Sequence, residues 1–320
     1  MAVLLALLLA SLFGAVPALA DDRGDPPIVG VLRLDTPQTV ARVRAIFLAG
    51  LKSRGYVDGR DIRVRFYLAE GRAERFPELA RALVRENPRV IVASGDAAVR
   101  AAQQATRTIP IIGVVDDIVG AGLIDSMAKP GGNITGISIL ASELDAKRLE
   151  ILKQAIASDR RVAVLSDPAS ATARPELLRH AAPLLGLELD PINVRNPEEF
   201  EPAFAAAKSA GDQAMLIRSS PLLFAFRHDL CALSRKHGLP VIGQFREMPE
   251  AGCLMSYGVT LSEMHDLAAD LTVGMLKGGR PGETPARQPT HYELVVNTRT
   301  AKTLGVSIPA ALLARAETVE

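Results

Sequence analysis

The chain has 320 residues, of which 48% are hydrophobic and 23% are charged. This balance is typical of globular proteins, and the length predicts two domains. The net charge is +1, which argues against a nucleic-acid-binding surface and against an acidic tail. Aromatic residues make up 4% and there is no Trp, so a platform for stacking nucleic-acid bases is also disfavoured.

The first 20 residues form an uncharged apolar run that ends in Val16-Pro17-Ala18-Leu19-Ala20. The small residues Ala18 and Ala20 fit the cleavage rule of secretory signals, although no Lys or Arg precedes the run. A membrane anchor is the alternative, because the run approaches the length of a spanning helix. Since Pro17 breaks helices, we expect a signal peptide at residues 1–20 with cleavage near Ala20. The mature chain is then predicted to be exported, soluble and periplasmic.

Apolar runs and helical periodicities alternate through the first half of the chain. Helices are predicted over residues 40–51, 76–84 and 97–105. Strands are predicted at Ile28–Leu32, Ile62–Leu68, Val90–Ala93, Ile109–Val115 and Ile134–Ile139. This order requires a parallel sheet with helices on both faces.

The pattern then starts again. Helices are predicted near residues 143–157, 175–185 and 197–209, with a further helix that ends at His237. Strands are predicted at Arg161–Leu165, near 187–194, at Ala214–Ile217 and at Pro240–Gly243. An amphipathic helix over 261–275 follows, and we interpret its Met residues as core. A short strand, Tyr292–Val296, and a small helical cap after Asn297 complete the chain. Two α/β halves of similar order predict a cleft between them.

The strand Val90–Ala93 is the centre of the functional prediction. It leads through Ser94-Gly95-Asp96 into a helix. Unpaired backbone N–H groups and the helix dipole at such a start attract an anionic or polar ligand group. Ligands of open α/β sheets lie just beyond these carboxyl ends of strands. The alternative is that Asp96 only caps its helix.

The sequence lacks the motifs of several kinds of nucleotide-binding, hydrolytic and metal sites. There is no glycine-rich dinucleotide fingerprint, no phosphate-binding loop and no Gly-x-Ser-x-Gly elbow. The five His residues are scattered without metal-ligand spacing. Asp116 and Asp117 could form an acid/base pair, but neighbouring side chains usually point apart. We therefore expect no enzyme activity, no cofactor and no metal.

The two cysteines, Cys231 and Cys253, leave two possibilities open. An exported protein could pair them in a disulfide. A helical Cys and a strand Cys are more often two small core residues, and this second possibility is favoured.

Five segments carry a resemblance to a known family. They are the run Phe245-Arg246-Glu247-Met248-Pro249-Glu250-Ala251-Gly252-Cys253-Leu254-Met255-Ser256-Tyr257-Gly258 and the shorter segments Gly55–Arg60, Lys129–Gly136, Gln288–Asn297 and Leu312–Glu317. In their order and spacing the chain resembles the periplasmic substrate-binding proteins of ABC importers, in the group that includes tryptophan and aromatic amino-acid binders. The match extends over roughly Ile28 to Glu320.

The resemblance implies two Rossmann-like, doubly wound parallel-sheet lobes, which resemble type I periplasmic binding proteins and close on one small molecule. Three crossings would join the lobes, at Ile134–Ile139, at Leu254–Gly258 and near Pro285–Gln288. The N-terminal lobe would comprise residues 21–137 and 260–286, and the C-terminal lobe residues 138–259 and 287–320. The implied partners are a small-molecule ligand and an ABC permease in the inner membrane. We expect a monomer that binds no nucleic acid.

We expect the ligand-binding residues to follow the strands of both lobes. These residues are Leu34, Thr36, Ser94, Gly95, Asp96, Asp116 and Asp117 from the first lobe and Ser138, Asp167, Arg218, Ser219, Gln244 and Phe245 from the second.

The chain departs from the family pattern at this cleft. Where relatives often show Thr-Pro, it has Asp96-Ala97, and the usual Gly-Asp-Pro-Val reads Asp116-Asp117-Ile118-Val119. A site built for a carboxylate does not suit Asp96, because like charges repel. Our hypothesis is that Asp117 or Asp96 holds an amine, Arg218 a carboxylate, and Phe245 the apolar part of the ligand. Alternatively, Asp117 forms an Asx turn and Arg218 a surface salt bridge.

The predicted function is capture of a small polar ligand, such as an amino acid or a related compound, for an ABC importer. The alternative is a ligand-sensing subunit for a membrane receptor or kinase. A periplasmic enzyme and a transcription regulator of the same fold are less favoured.

Overall fold

A computed structural model describes residues 25–156, 161–170 and 174–320. The predicted signal peptide lies outside the described residues. The first part of the chain forms a five-stranded, fully parallel sheet in the order β2-β1-β3-β4-β5. Its elements are β1 (Ile28–Arg33), α1 (Ala41–Ser53), β2 (Arg63–Leu68), α2 (Phe76–Arg85), β3 (Val90–Ser94), α3 (Asp96–Ala105), β4 (Ile111–Val115) and β5 (Ile134–Ser138). We call this sheet and the helices on it the first lobe.

The next elements build a second, larger sheet. They are α4 (Asp145–Ile156), β6 (Arg161–Ser166), α5 (Pro175–Leu184), β7 (Glu188–Asn193), α6 (Phe200–Ser209), β8 (Ala214–Ile217), α7 (Pro221–Ala225), α8 (Arg227–His237), β9 (Val241–Gly243), α9 (Glu247–Glu250) and β10 (Met255–Val259). The chain ends with α10 (Leu261–Leu276), β11 (Tyr292–Asn297), α11 (Thr298–Leu304), α12 (Ala310–Leu313) and β12 (Glu317–Val319).

The second sheet has seven strands in the order β12-β11-β10-β9-β8-β6-β7. All neighbours are parallel except β10 and β11, which are antiparallel. Pro191 lies in β7, an edge strand, where its missing N–H breaks no internal ladder. We call this sheet and its helices the second lobe. The α/β class with two such sheets was predicted, whereas β12 and the short helices α7 and α9 were not.

Each sheet is covered on both faces because its central strands are apolar throughout. In the first lobe, α1 and α10 pack on one face, with Phe47 of α1 and Leu271 of α10 in one buried cluster. Helices α2 and α3 cover the other face through Leu83 and Val99. Since α10 follows β10 of the second sheet, the chain has returned here to the first lobe.

The chain passes between the lobes three times. It leaves the first sheet after β5 and enters α4. It comes back between β10 and α10, where Thr260 caps the helix by accepting a hydrogen bond from the Glu263 N–H (3.2 Å). The third passage runs beside β5, where the Ser138 N–H donates to the Arg287 carbonyl (2.9 Å), and then reaches β11. This last return explains why β11 is antiparallel to its neighbour.

The two lobes contact each other on both sides of the strand ends. Arg42 of α1 pairs with Glu250 and, at 3.1 Å, with Glu247, both in α9 of the second lobe. On another side, Arg174 donates to Asp117, which follows β4 (2.6 Å). These interlobe ion pairs indicate a closed arrangement.

Cys231 of α8 and Cys253, just before β10, form a disulfide. The expectation that both are unpaired core residues was wrong in its main point, although both are fully buried. Helix α9 and its turn, which sequence analysis did not predict, bring the Cys253 backbone to within 4.6 Å of Cys231, measured between Cα atoms. That separation is within the usual range for a disulfide.

Candidate functional site

A cavity lies between the lobes at the carboxyl ends of their parallel strands. The ends of β1, β3 and β4 form one side, and the segments after β6, β8 and β9 form the other. Together with the surrounding space that is open to solvent, it amounts to about 870 Å³. Nine of the predicted site residues line it: Leu34, Ser94, Gly95, Asp96, Asp116, Asp167, Ser219, Gln244 and Phe245. This placement follows from parallel topology, which gathers carboxyl ends at one edge of each sheet.

Arg218 does not line the cavity. Its Nε donates to the Asp145 carboxylate at 2.8 Å, and the same carboxylate accepts from Arg148 at 2.6 Å. All three side chains are buried. A carboxylate of its own lobe therefore holds Arg218, and the ligand-clamp hypothesis gains no support. The alternative of a surface salt bridge also fails, because the pair is buried.

Asp117 is also held elsewhere. One carboxylate oxygen accepts from the Gly120 N–H at 2.8 Å, three residues on in the turn that follows, and the other pairs with Arg174. The turn-forming alternative for Asp117 is thus the arrangement seen. Asp117 and Ser138 lie in a neighbouring surface depression.

Ser138 and Thr36 support the backbone. The Ser138 hydroxyl donates to the Asp116 carbonyl (3.1 Å) and accepts from the Ile118 N–H (3.3 Å). Thr36 exchanges hydrogen bonds with Thr39 in the turn that precedes α1. The structure does not bring either residue to the cavity.

Gly95, rather than Asp96, occupies the cap position of α3, and Asp96 is the first helical residue. Gly95 has φ 88° and ψ 151°, a conformation that is essentially restricted to glycine. A Cβ at this position would lie 2.6 Å from Cγ of Pro221 in the second lobe. Glycine therefore lets the first lobe's β3–α3 turn approach the second lobe closely.

Arg33 is a lining residue that sequence analysis did not identify. Its Nε donates to Asp35 at 2.7 Å and its Nη1 to the Ser94 hydroxyl at 2.8 Å. Arg33 and Asp35 are both buried. The residue directly precedes the predicted Leu34, so its place at the end of β1 was the available signal.

Two lining carboxylates are held by neutral donors. Asp116 accepts from the Ser142 hydroxyl and from its N–H (3.2 Å). Asp167 accepts from the Ser220 hydroxyl (2.7 Å) and from the Ala169 N–H (2.9 Å). Burial raises the pKa of both Asp116 and Asp167, and the hydrogen bonds offset part of this effect.

The apolar part of the wall is aromatic. Phe224 of α7 and Phe245 after β9 pack edge to face with ring centroids 5.1 Å apart, a favourable geometry for aromatic pairs. Phe76 of α2 and Met264 of α10 also line the cavity. Met264, interpreted from sequence as core, is both part of a buried cluster and part of this wall. Phe224 was missed because α7 was not separated from the helix after it.

Gln244 is 5% exposed and lines the cavity, and its Nε2 has no hydrogen-bond partner among the described residues. Buried amide groups are normally paired, so this group is available to a bound molecule.

Within the described segments, no group of three or more His, Cys, Asp or Glu side chains could hold a metal ion. None of the described helices is long and apolar enough to cross a membrane.

Comparison with known proteins agrees with this architecture. A tyrosine-binding protein of Clostridioides difficile is 24% identical over 279 residues, which cover 86% of this chain and 80% of the relative. A conserved domain protein from Vibrio cholerae superimposes with a TM-score of 0.85 at 27% identity, covering 92% of this chain and all of the other. An ABC domain of Streptococcus pneumoniae in complex with L-Trp gives a TM-score of 0.83 at 22% identity, with the same coverage. The family model described as ABC transporter substrate binding protein matches residues 30–320. The chain therefore belongs to the ABC transporter substrate-binding protein family.

Proposed function

We propose that this protein captures a small molecule between its two lobes in the periplasm and delivers it to an ABC permease in the inner membrane. One observation carries the proposal: the strand ends of both lobes line one shared cavity. A ligand in that cavity contacts both lobes at once. Since such a ligand binds the closed arrangement better than the open one, it shifts the population toward closure.

The cavity wall supports a ligand with an apolar body and a polar head. Phe76, Phe224 and Phe245 offer aromatic surface, while carboxylate, hydroxyl and amide groups line the remainder. The relatives described above include a tyrosine-binding protein and a domain in complex with L-Trp. An aromatic amino acid or a related amine is therefore the first ligand class to test.

The proposal includes the predicted lobe boundaries with one change. Ser138, predicted to belong to the second lobe, ends β5 of the first sheet, so residues 21–138 and 260–286 form one lobe and 139–259 and 287–320 the other. The hinge then consists of the three passages between the lobes. It also includes an exported, monomeric mature chain that performs no chemistry on its ligand.

A thermal-shift screen of residues 21–320 tests the proposal. The panel contains amino acids, amines, nucleosides, sugars and small organic acids. A ligand at about a hundred times its dissociation constant stabilises the fold by about 2.7 kcal/mol, which is visible as a raised melting temperature. The proposal predicts a compound that raises the melting temperature and is recovered unchanged by mass spectrometry. A compound consumed during incubation would contradict it.

A further inference from the structure

The charged groups in the described cavity wall are unbalanced. One guanidinium, that of Arg33, and three carboxylates, those of Asp96, Asp116 and Asp167, line it. Arg33 already forms a buried ion pair with Asp35 at 2.7 Å. Since Asp35 offsets the charge of Arg33, the Asp116 and Asp167 carboxylates give the wall excess negative charge, and burial between the lobes weakens its screening by solvent.

No described Lys, Arg or His lies within ion-pair distance of the Asp116 or Asp167 carboxylate, which accept hydrogen bonds from neutral groups as described above. A ligand with a hydrogen-bond-donating cation would supply the missing charge. Buried carboxylates are normally compensated by such a partner.

The cationic groups just behind the wall do not restore the balance. Burial and the nearby Arg33 lower the pKa of His265 to about 4, so this residue is neutral at pH 7. Arg227 lies within electrostatic range of Glu247 and Asp35, and these carboxylates offset its positive charge. Positive charge from this direction is therefore already matched.

A second, independent observation indicates a polar ligand atom. The Gln244 Nε2 donor is buried in the wall without a partner among the described residues. A hydroxyl or ether oxygen of the ligand can accept from this amide N–H group without adding negative charge to the wall. The aromatic pair Phe224 and Phe245 adds a surface on which a planar apolar body can pack.

Resting on the proposed function, we infer that the ligand is a cationic amine with an apolar, preferably aromatic, body and no carboxylate group. The amine is placed against Asp116 and Asp167, and the apolar body against Phe224 and Phe245. A zwitterionic amino acid is disfavoured because its carboxylate would enter a wall that already has excess negative charge.

Isothermal titration with matched compounds tests this inference. One series is tyramine, L-tyrosine and 3-(4-hydroxyphenyl)propionate, whose phenol oxygen can accept from Gln244, and the other is tryptamine, L-tryptophan and indole-3-propionate, which lack that acceptor. Residues 21–320 are used at pH 7. At least one amine is expected to bind at least tenfold more tightly than its amino acid, and the acids are expected not to bind. The inference is overturned if an amino acid or acid binds as tightly as its amine, or if neither amine binds. The proposed function survives those outcomes if any compound of the wider panel binds unchanged.

Charge-removing variants test the placement. Asp116→Asn and Asp167→Asn are each expected to weaken amine binding at least tenfold and to reduce its salt dependence. Asp229→Asn, on the exposed side of α8, is the matched control and is expected to bind as the wild type does. Circular dichroism melts establish that the variants fold. Unchanged amine affinity in both cavity variants would overturn the placement.

Discussion

Replacing Gly95 by Ala tests whether the lobes close on each other. The substitution places a Cβ 2.6 Å from Cγ of Pro221, about 1 Å inside ordinary contact distance. A proline ring cannot rotate away, so the closed state must shift to relieve the clash. Overpacking of this kind costs about 1–3 kcal/mol. If only the closed state has the contact, ligand affinity falls by about 5- to 150-fold.

The backbone strain at Gly95 is a separate effect. The left-handed φ of 88° is costly for Ala in the open and the closed state alike, so it lowers stability without changing affinity. Gly55→Ala is the matched control, because Gly55 also has φ 88° while a Cβ there meets nothing within 4 Å. This control is expected to melt earlier but to bind normally.

The assay is isothermal titration of the three proteins with the compound that raises the melting temperature most in the screen. A Gly95→Ala protein that binds with wild-type affinity would refute the reasoning. It would show that the approach of the β3–α3 turn to Pro221 is not a feature of the ligand-bound state.

Three further predictions concern stability. Replacing Cys231 and Cys253 by Ala removes a cross-link between residues 22 apart and is expected to cost about 3 kcal/mol; urea melts check this, and equal midpoints for oxidised and variant protein would contradict it. Asp145→Asn leaves the buried guanidinium groups of Arg148 and Arg218 without the carboxylate that both contact and is expected to cost about 3–5 kcal/mol in the same assay; a loss smaller than 1 kcal/mol, roughly that of an exposed pair, would show that these ion pairs are solvated. Burial, with repulsion from Asp190, raises the pKa of Asp212 from 3.8 to about 6. The folded state therefore binds this proton more tightly, and stability falls as pH rises between these values. Asp212→Asn is expected to flatten the dependence of melting temperature on pH over this range, and an unaltered pH profile would refute that assignment.

The fold, and the position of the cavity at the carboxyl ends of the parallel strands, were predictable from local sequence patterns. Apolar, β-branched runs such as Val90–Ala93 encode buried strands wherever they occur, and alternation with helices enforces parallel pairing. Residues such as Asp96 and Asp167 could therefore be placed at one edge without knowledge of any contact. The strand order and the extra edge strand β12 depend on packing over the whole lobe.

Side-chain partners could not be predicted in the same way. Arg218 and Arg33 both lie at the end of a strand, and the residues around them in sequence do not indicate which of the two lines the cavity. Asp145, distant in sequence, holds Arg218 away from the cavity, whereas Asp35, two residues away, holds Arg33 beside it. The cysteine pair was mispredicted for a similar reason, because helix α9 determines the distance between the two residues.

The central claim is that a small molecule binds in the cavity between the lobes. Ala97 lines that cavity and is partly exposed, so Ala97→Trp is expected to fill it with little effect on folding. Titration with the best compound of the screen is predicted to give one molecule bound per wild-type chain and none per variant chain, with both proteins showing the same circular dichroism spectrum. A folded variant that binds the compound as the wild type does would contradict the account, because the ligand would then lie elsewhere.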